Sequence, residues 1–273
     1  MKILDINRGL FLLLMLLSYD MALANVNEEF PARKLYPAVP YIELDDLYKQ
    51  LKNVVIVDVR SEYEYETLRI KGALNIPLSG QSFIAEMEKL QAANPKSKIV
   101  VYCNGKTCKK SYQAVQKCRD HNMENVIAYD AGIMDWAKKY PQESVLLGVS
   151  PIDPSRIIPK SALQEKEIGV DQFEAMLANK DVIVLDVRER FQREGLSLFP
   201  GIDKQAYLDD KAALNKYINL AKKDNKTLLI YDAAGKQVQW LMYYLEDQGL
   251  KKYMFMKGGA NAYFAALRNQ YVK

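Results

Sequence analysis

Lys98-Ile99-Val100-Val101-Tyr102-Cys103-Asn104-Gly105-Lys106-Thr107-Cys108-Lys109-Lys110-Ser111 is the stretch from which the fold of this chain is read. The β-branched run that ends on Cys103 predicts a strand, and a polar loop with a single glycine follows. From about Lys109 the three-residue spacing of Tyr112, Val115 and Cys118 predicts a helix. The pattern is strand, tight loop, helix, with a thiol at the hinge. Loop N–H groups and a helix N-terminus converge at such a hinge, and both favour an anion, so the Cys103 thiolate is expected to be accessible. Lys106, Lys109 and Lys110 add positive charge within the same few residues. A cysteine that merely closed a strand would need neither the glycine nor the lysines beside it.

Outward toward the N-terminus, residues 1–24 read as a targeting segment rather than as fold. Lys2 and Arg8 precede the apolar run from Gly9 to Leu17, and Ala22-Leu23-Ala24 has the small-x-small form of a cleavage site. The expectation is a secretory signal peptide cut before Asn25 and export, most simply into a bacterial periplasm. The apolar run is short of the about 20 residues that a membrane-spanning helix needs. No membrane insertion is expected after cleavage.

Composition narrows the function classes. The chain is 49% hydrophobic and 26% charged, which suits one large or two medium domains with ordinary cores. A net charge of +4, with lysines scattered among acids, gives nucleic-acid binding little support. The three cysteines, Cys103, Cys108 and Cys118, are too clustered to scaffold a chain of this length. An odd number of thiols in an oxidising compartment points to at least one kept for chemistry. With His121 as the single histidine, no zinc pattern is present, and no metal or cofactor is expected.

Along the chain, the proline-spotted segment 25–40 reads as an extended lead-in, and Tyr41 to Lys52 as an amphipathic helix. Val54 to Arg60 reads as a strand apolar on both faces, as in a sheet covered by helices. An acidic helix from Ser61 to Leu68, a turn at 70–73 and a short strand from Leu74 to Pro77 follow. Ser82 to Ala92 reads as helix, Val126 to Tyr129 as strand, and Asp130 to Trp136 as a turn into a further helix. Strands alternating with helices imply a parallel-type α/β domain.

The second half repeats the first. Val182 to Arg188 matches Val54 to Arg60, Leu228 to Asp232 matches the run into Cys103, and Lys257 to Tyr263 matches Asp130 to Trp136. The offsets are 128 for Asp58 and Asp186, 129 for Cys103 and Asp232, and 127 for Trp136 and Tyr263, which points to an internal duplication. The expected organisation is a first domain over 25–140, a linker over 141–160 marked by Pro151, Pro154 and Pro159, and a second domain over 161–273. Asp232 stands where the first repeat has Cys103, so only the first repeat is equipped for thiol chemistry.

Taken together, Val57-Asp58-Val59-Arg60 with Glu64 and Tyr65, the run Gly72 to Pro77, Val101-Tyr102-Cys103 with its glycine-containing loop, and the turn from Gly132 to Trp136 resemble the rhodanese (sulfurtransferase) superfamily. The resemblance covers essentially the whole mature chain, twice. It implies two tandem domains, each a five-stranded parallel sheet flanked by helices. It also implies a cysteine that accepts a sulfane sulfur as a persulfide and hands it to a nucleophile. By matching position Cys103 is the nucleophile, and Asn104, Gly105, Lys106, Thr107, Cys108 and Lys109 form the substrate cradle, with Lys106 or Lys109 placed to meet the leaving anion. Asp58 and Arg60 match a structural framework pair. The implied partners are small sulfur anions, thiosulfate or polysulfide, and a periplasmic sulfur-acceptor protein.

Three features depart from the family pattern. Lys109 stands six positions after Cys103, where the family has a small hydroxyl residue, and Ser111 comes two later, so the loop is expected to be longer or differently wound. A longer loop suits a bulkier anion, as in related phosphatases and arsenate reductases, but lysine is a poorer oxyanion fork than the arginine those enzymes use. Arg69 replaces a common histidine and is read as a packing change. Cys108 lies inside the loop, and three readings of it stand: it resolves the Cys103 persulfide, it forms a protective redox switch, or it is a bystander. Cys118 is read as core, and the second repeat, whose loop keeps the glycine spacing, either as a brace for the active domain or as an anion binder, with structural support the default reading. A thiol–disulfide redox protein using Cys103 and Cys108 and a non-catalytic binding protein are the competing functions.

Overall fold

In the computed structural model, which describes residues 29–189, 192 and 197–271, the β-branched runs form the centres of two parallel sheets. The residues read as a signal peptide lie outside the described residues. The chain divides after Pro154 into two units.

The strands of the first unit are β1 (Tyr41–Ile42), β2 (Val54–Asp58), β3 (Leu68–Ile70), β4 (Leu74–Asn75), β5 (Lys98–Tyr102), β6 (Val126–Tyr129) and β7 (Ser144–Leu146). Five of them make an all-parallel sheet in the order β1-β6-β5-β2-β4. Register sets the positions that matter, because Asp58 at the end of β2 pairs with Tyr102 at the end of β5. The motif after β2 and the loop after β5 therefore emerge side by side. Ile99, Val101 and Cys103 alternate onto one face, where they pack with Phe83 and Met87 and with Tyr112, Val115 and Cys118. These come from the helices Phe83–Ala93 and Lys110–Arg119. Full burial of an apolar side chain of this size is worth about 1.5–3 kcal/mol, so this face fixes both helices on the sheet.

The second unit has β8 (Glu167–Ile168), β9 (Val182–Asp186), β10 (Lys204–Gln205), β11 (Thr227–Tyr231) and β12 (Tyr253–Met256). They form an all-parallel sheet in the order β10-β9-β11-β12-β8, which is the order of the first sheet strand for strand. Phe173, Phe199, Leu229 and Tyr231 are at its core.

Local readings differ from the sequence expectation in four places. The lead-in is not wholly extended, because Pro31–Leu35 is a helix with proline in its first turn, where the missing N–H costs nothing. Arg33 of that helix makes a two-pronged contact with the buried Asp130 carboxylate, from Nε at 2.7 Å and Nη2 at 3.1 Å. Tyr41 and Ile42 do not begin the following helix, which is Leu44–Gln50; they pair with Ala128 and Tyr129 as an edge strand. The segment Leu68–Ile70 is a strand that pairs antiparallel with β7, a long-range partner that no local pattern announces. Finally, residues 141–154, read as the first half of a linker, belong to the first unit: Ser144, Val145 and Leu146 are buried, and Glu143 O accepts the Trp136 indole N–H at 3.0 Å. The end of the first domain read at 140 therefore moves to Pro154. The helix Lys160–Lys166 likewise occupies the end of the supposed linker.

A buried ion pair ties the motifs together. Arg60, fully buried, donates from Nε to Asp58 Oδ1 at 2.9 Å and from Nη2 to both Asp58 Oδ2 and the Leu68 carbonyl. Asn75 secures the same turn, its Nδ2 donating to the carbonyls of Asp58 and Arg60 at 3.1 Å each. Arg188 and Asp186 repeat the pair in the second unit, with Nε to Oδ1 at 2.9 Å. Replacing Arg60 by methionine keeps the apolar stem but leaves Asp58 charged and unpaired inside the protein, so Arg60→Met is expected to destabilise the first unit by about 3–5 kcal/mol. Trp136 reports on the first unit and Trp240 on the second. Urea titration followed by tryptophan emission in a Trp240→Phe background therefore reads the effect, and an unmoved midpoint would show that the pair is dispensable.

Candidate active site

The site is built at the end of β5. Cys103 is the first residue after the strand and is completely buried. Its carbonyl accepts the N–H of Ile133 at 3.0 Å, which docks the loop against the start of the helix Gly132–Lys139. Gly132 makes that docking possible: it has φ +71°, and a Cβ there would collide with the backbone of Gly105 and Asn104. This is the physical content of the glycine at the head of the Gly132 to Trp136 motif.

Asn104 is held from two sides. Its Oδ1 accepts from Arg60 Nη1 at 3.2 Å, and its Nδ2 donates to Glu64 Oε1 at 2.9 Å. Glu64, only 6% exposed, also closes a capping box with Ser61 at the head of the helix Glu62–Thr67. Burial alone would raise the Glu64 pKa, but Arg60, Lys110, Asn104 and the Ser61 N–H outweigh it and hold the carboxyl below its ordinary value. Glu64 thus stays an anion one hydrogen bond from the loop. Sequence reasoning carried Glu64 as a motif residue but did not place it at the site; the capping-box spacing Ser61 to Glu64 was the available signal.

The other loop residues separate into held and free. Lys106 pairs with Glu29 and with Asp135 Oδ2, the latter at 3.0 Å, and these acids raise its pKa. Its ammonium is thus engaged by two acids from other parts of the chain. The side chains of Thr107 and Lys109 are exposed and make no hydrogen bond or ion pair among the described residues. Lys110 lies 3.9 Å from Glu64 Oε2. Cys108 is half-buried and joined to Cys103 as a disulfide, with the two Cα atoms 6.5 Å apart. Ser111, two positions beyond the expected hydroxyl, still reaches the thiol position, its Oγ lying 3.9 Å from Cys103 Sγ. Arg69 turns its guanidinium to the Tyr65 and Glu66 carbonyls. Cys118 is fully buried, and burial pushes its thiol up to about 12, so it is inert.

The matching loop of the second unit shows what this build does electrostatically. Asp232, 2% exposed, occupies the end of β11, and its own carboxylate takes the loop donors. The N–H groups of Ala234 and Gly235 point to Oδ1, and those of Gln237 at 2.7 Å and Val238 at 3.3 Å to Oδ2. Four backbone donors and the N-terminus of the helix Val238–Asp247 converge on one anion. Of the two sequence readings of this loop, bracing and anion binding, the filled cradle favours the first, because the carboxylate is supplied from within. The first loop is one residue longer, with residues 104–109 between Cys103 and the helix against 233–237 after Asp232. Among the described residues, no group of three or more His, Cys, Asp or Glu could hold a metal ion, and no helix is long and apolar enough to cross a membrane.

Two substitutions test this geometry. Gly132→Ala forces either a strained backbone or displacement of the loop, and it is expected to cost about 2–4 kcal/mol, read by Trp136 emission in urea. Asp232→Asn removes the charge from the filled cradle and is expected to cost the second unit about 1.5–3 kcal/mol, read by Trp240 in a Trp136→Phe background. No change in the second case would mean that the four donors are satisfied equally well without the anion.

Comparison with known proteins bears on the first unit. Residues 43–139 match the family model for the rhodanese-like domain. Among curated proteins, a tRNA uridine(34) hydroxylase of Bdellovibrio bacteriovorus is 28% identical over 102 residues, covering 37% of this chain and 28% of that protein. The HTH-type transcriptional regulator Rv0324 of Mycobacterium tuberculosis is 36% identical over 89 residues, covering 32% of this chain and 36% of that one. The chain thus spans only about a third of the length of these relatives. Among solved structures, a thiosulfate sulfurtransferase from Pseudomonas aeruginosa aligns over 84% of this chain and 46% of its own at 19% identity, with a TM-score of 0.37. The human single-domain sulfurtransferase TSTD1 aligns over 37% of this chain and 98% of its own at 29% identity, with a TM-score of 0.31. The motifs around Asp58, Cys103 and Gly132, their geometry and the family match agree that residues 43–139 of this chain are a rhodanese-like domain.

Proposed function

We propose that the protein is a sulfurtransferase that carries sulfane sulfur as a persulfide on Cys103. The observation that supports this most directly is the position of that thiol, at the end of β5 and before a helix N-terminus, where the matching loop of the second unit gathers four N–H donors around a carboxylate. A thiolate or persulfide at Cys103 is an anion in the equivalent place, and such a setting lowers a thiol's pKa and holds the charged intermediate. The reduced Cys103 thiolate attacks the outer sulfur of thiosulfate or of a polysulfide chain. The donor S–S bond breaks, the new sulfur stays on Cys103, and sulfite or a shortened polysulfide leaves with the electron pair. With Lys106 tied to acids, Lys109 is the loop cation free to receive that leaving group.

The curated relatives bear different names and share about a third of their length with this chain, which favours a common module over a common pathway. The N-terminal sequence adds export to the proposal: a protein released into the periplasm after cleavage before Asn25, serving an acceptor protein there.

The reduced Cys108→Ser protein is to be incubated separately with thiosulfate and with polysulfide, and its intact and peptide masses taken. The expected outcome is a gain of one sulfur atom on the Cys103 peptide, discharged by cyanide and absent from Cys103→Ser. Failure of the Cys103 peptide to gain sulfur from either donor in the Cys108→Ser protein, where no loop disulfide can form, would overturn the proposal.

A further inference from the structure

The loop that carries Cys103 is held through its first half. Asn104 is fixed by Arg60 and Glu64, Gly105 is packed against the Gly132 turn, and Lys106 is tied to Glu29 and Asp135. Beyond it, Thr107 and Lys109 face solvent with no side-chain hydrogen bond or ion pair among the described residues, and Cys108 between them packs toward the core cluster that holds Cys103. A tight turn, in which the Cys108 N–H donates to the Gly105 carbonyl at 2.8 Å, curls the chain back after the fixed half. The turn delivers Cys108 Sγ onto Cys103 Sγ, the two being bonded with a Cα separation inside the ordinary range for a disulfide. The shorter second loop, with Asp232 in place of the nucleophile, has no thiol at all.

We infer that Cys108 is the resolving thiol of the Cys103 persulfide, so that the protein discharges its sulfur as sulfide and ends the half-cycle as the Cys103–Cys108 disulfide that the structure shows. The inference rests on the sulfur-transfer reading and specifies how the persulfide is discharged. The Cys108 thiolate attacks Cys103 Sγ, the inner sulfur of the persulfide. The bond from Sγ to the outer sulfur breaks, the outer sulfur leaves with the electron pair as hydrosulfide, and the Sγ–Sγ bond forms. The sulfane sulfur is reduced to sulfide while two cysteine sulfurs are oxidised to the disulfide, so the electrons balance within the chain. A dithiol reductant then returns two electrons and two protons to reopen the loop. The division of the loop suits this sequence of events: the half held by Asn104, Gly105 and Lys106 positions the nucleophile, and the turn after it presents the second thiol to Cys103. Cys118 takes no part, being buried on the inner face of its helix.

The test uses the whole protein, reduced, freed of reductant and kept without oxygen. Wild type, Cys108→Ser and Cys108→Ala are loaded with polysulfide, the excess donor is removed, and sulfide release and peptide masses are followed. Wild type is expected to release one sulfide per chain without any added thiol and to finish two hydrogens lighter across Cys103 and Cys108. Both variants are expected to keep the extra sulfur on Cys103 and to release it at least about tenfold more slowly until cyanide or a thiol is added. Equal retention of the extra sulfur on Cys103 in wild type and variants overturns the resolving role while leaving the Cys103 persulfide standing. Failure of all three proteins to gain sulfur on Cys103 overturns both.

Discussion

Arg60 and Asp58 form the contact on which the rest of the first unit depends. Neither residue is exposed to solvent, and burying two charges is favourable only where the geometry is close and the remaining donors are used. Here they are used on the Leu68 carbonyl and on Asn104, so one guanidinium joins the end of β2, the start of β3 and the first residue of the cysteine loop. The framework pair is therefore not remote from the chemistry. Through Asn104 and Glu64 it sets where the loop after Cys103 begins, and the loop's geometry follows from the fold's most buried charges.

The two units share a strand order and a buried Asp–Arg pair, and they differ at the residue that ends the central strand. In the second unit a carboxylate satisfies the loop amides, which makes that loop a closed structural element. In the first unit the corresponding group is sulfur, whose charge and bonding change with its chemical state. A cradle that favours an anion stabilises a thiolate and a persulfide and gains nothing from a neutral disulfide. The matching position thus holds a carboxylate that takes its own loop donors in one unit and a cysteine sulfur bonded to Cys108 in the other.

The local charges illustrate why counting them in a sequence overstates a field. Lys106, Lys109 and Lys110 lie within five residues, yet they act differently. Two acids from distant parts of the chain engage Lys106, Lys110 approaches Glu64, and Lys109 alone projects freely into solvent. Surface pairs of this kind contribute little stability individually. Their effect is to decide which half of the loop is held.

The sequence by itself determined the parallel α/β architecture, the duplication and the special position of Cys103, because these rest on short periodic runs and on a glycine-containing loop whose physics is local. It also placed the helix starting near Lys110 and the burial of Cys118, both fixed by three-residue spacing. Only the tertiary structure decided that Tyr41 and Ile42 are a strand, that Leu68–Ile70 pairs with Ser144–Leu146, and that Pro31–Leu35 docks through Arg33. Each of these depends on a partner 70 or more residues away. The same holds for the site: Glu64 reaches Asn104, Lys106 is neutralised by Glu29 and Asp135, and Asp232 fills its own cradle. A sequence records which groups can bond; which of them meet is settled by the register of the sheet and the packing of the helices upon it.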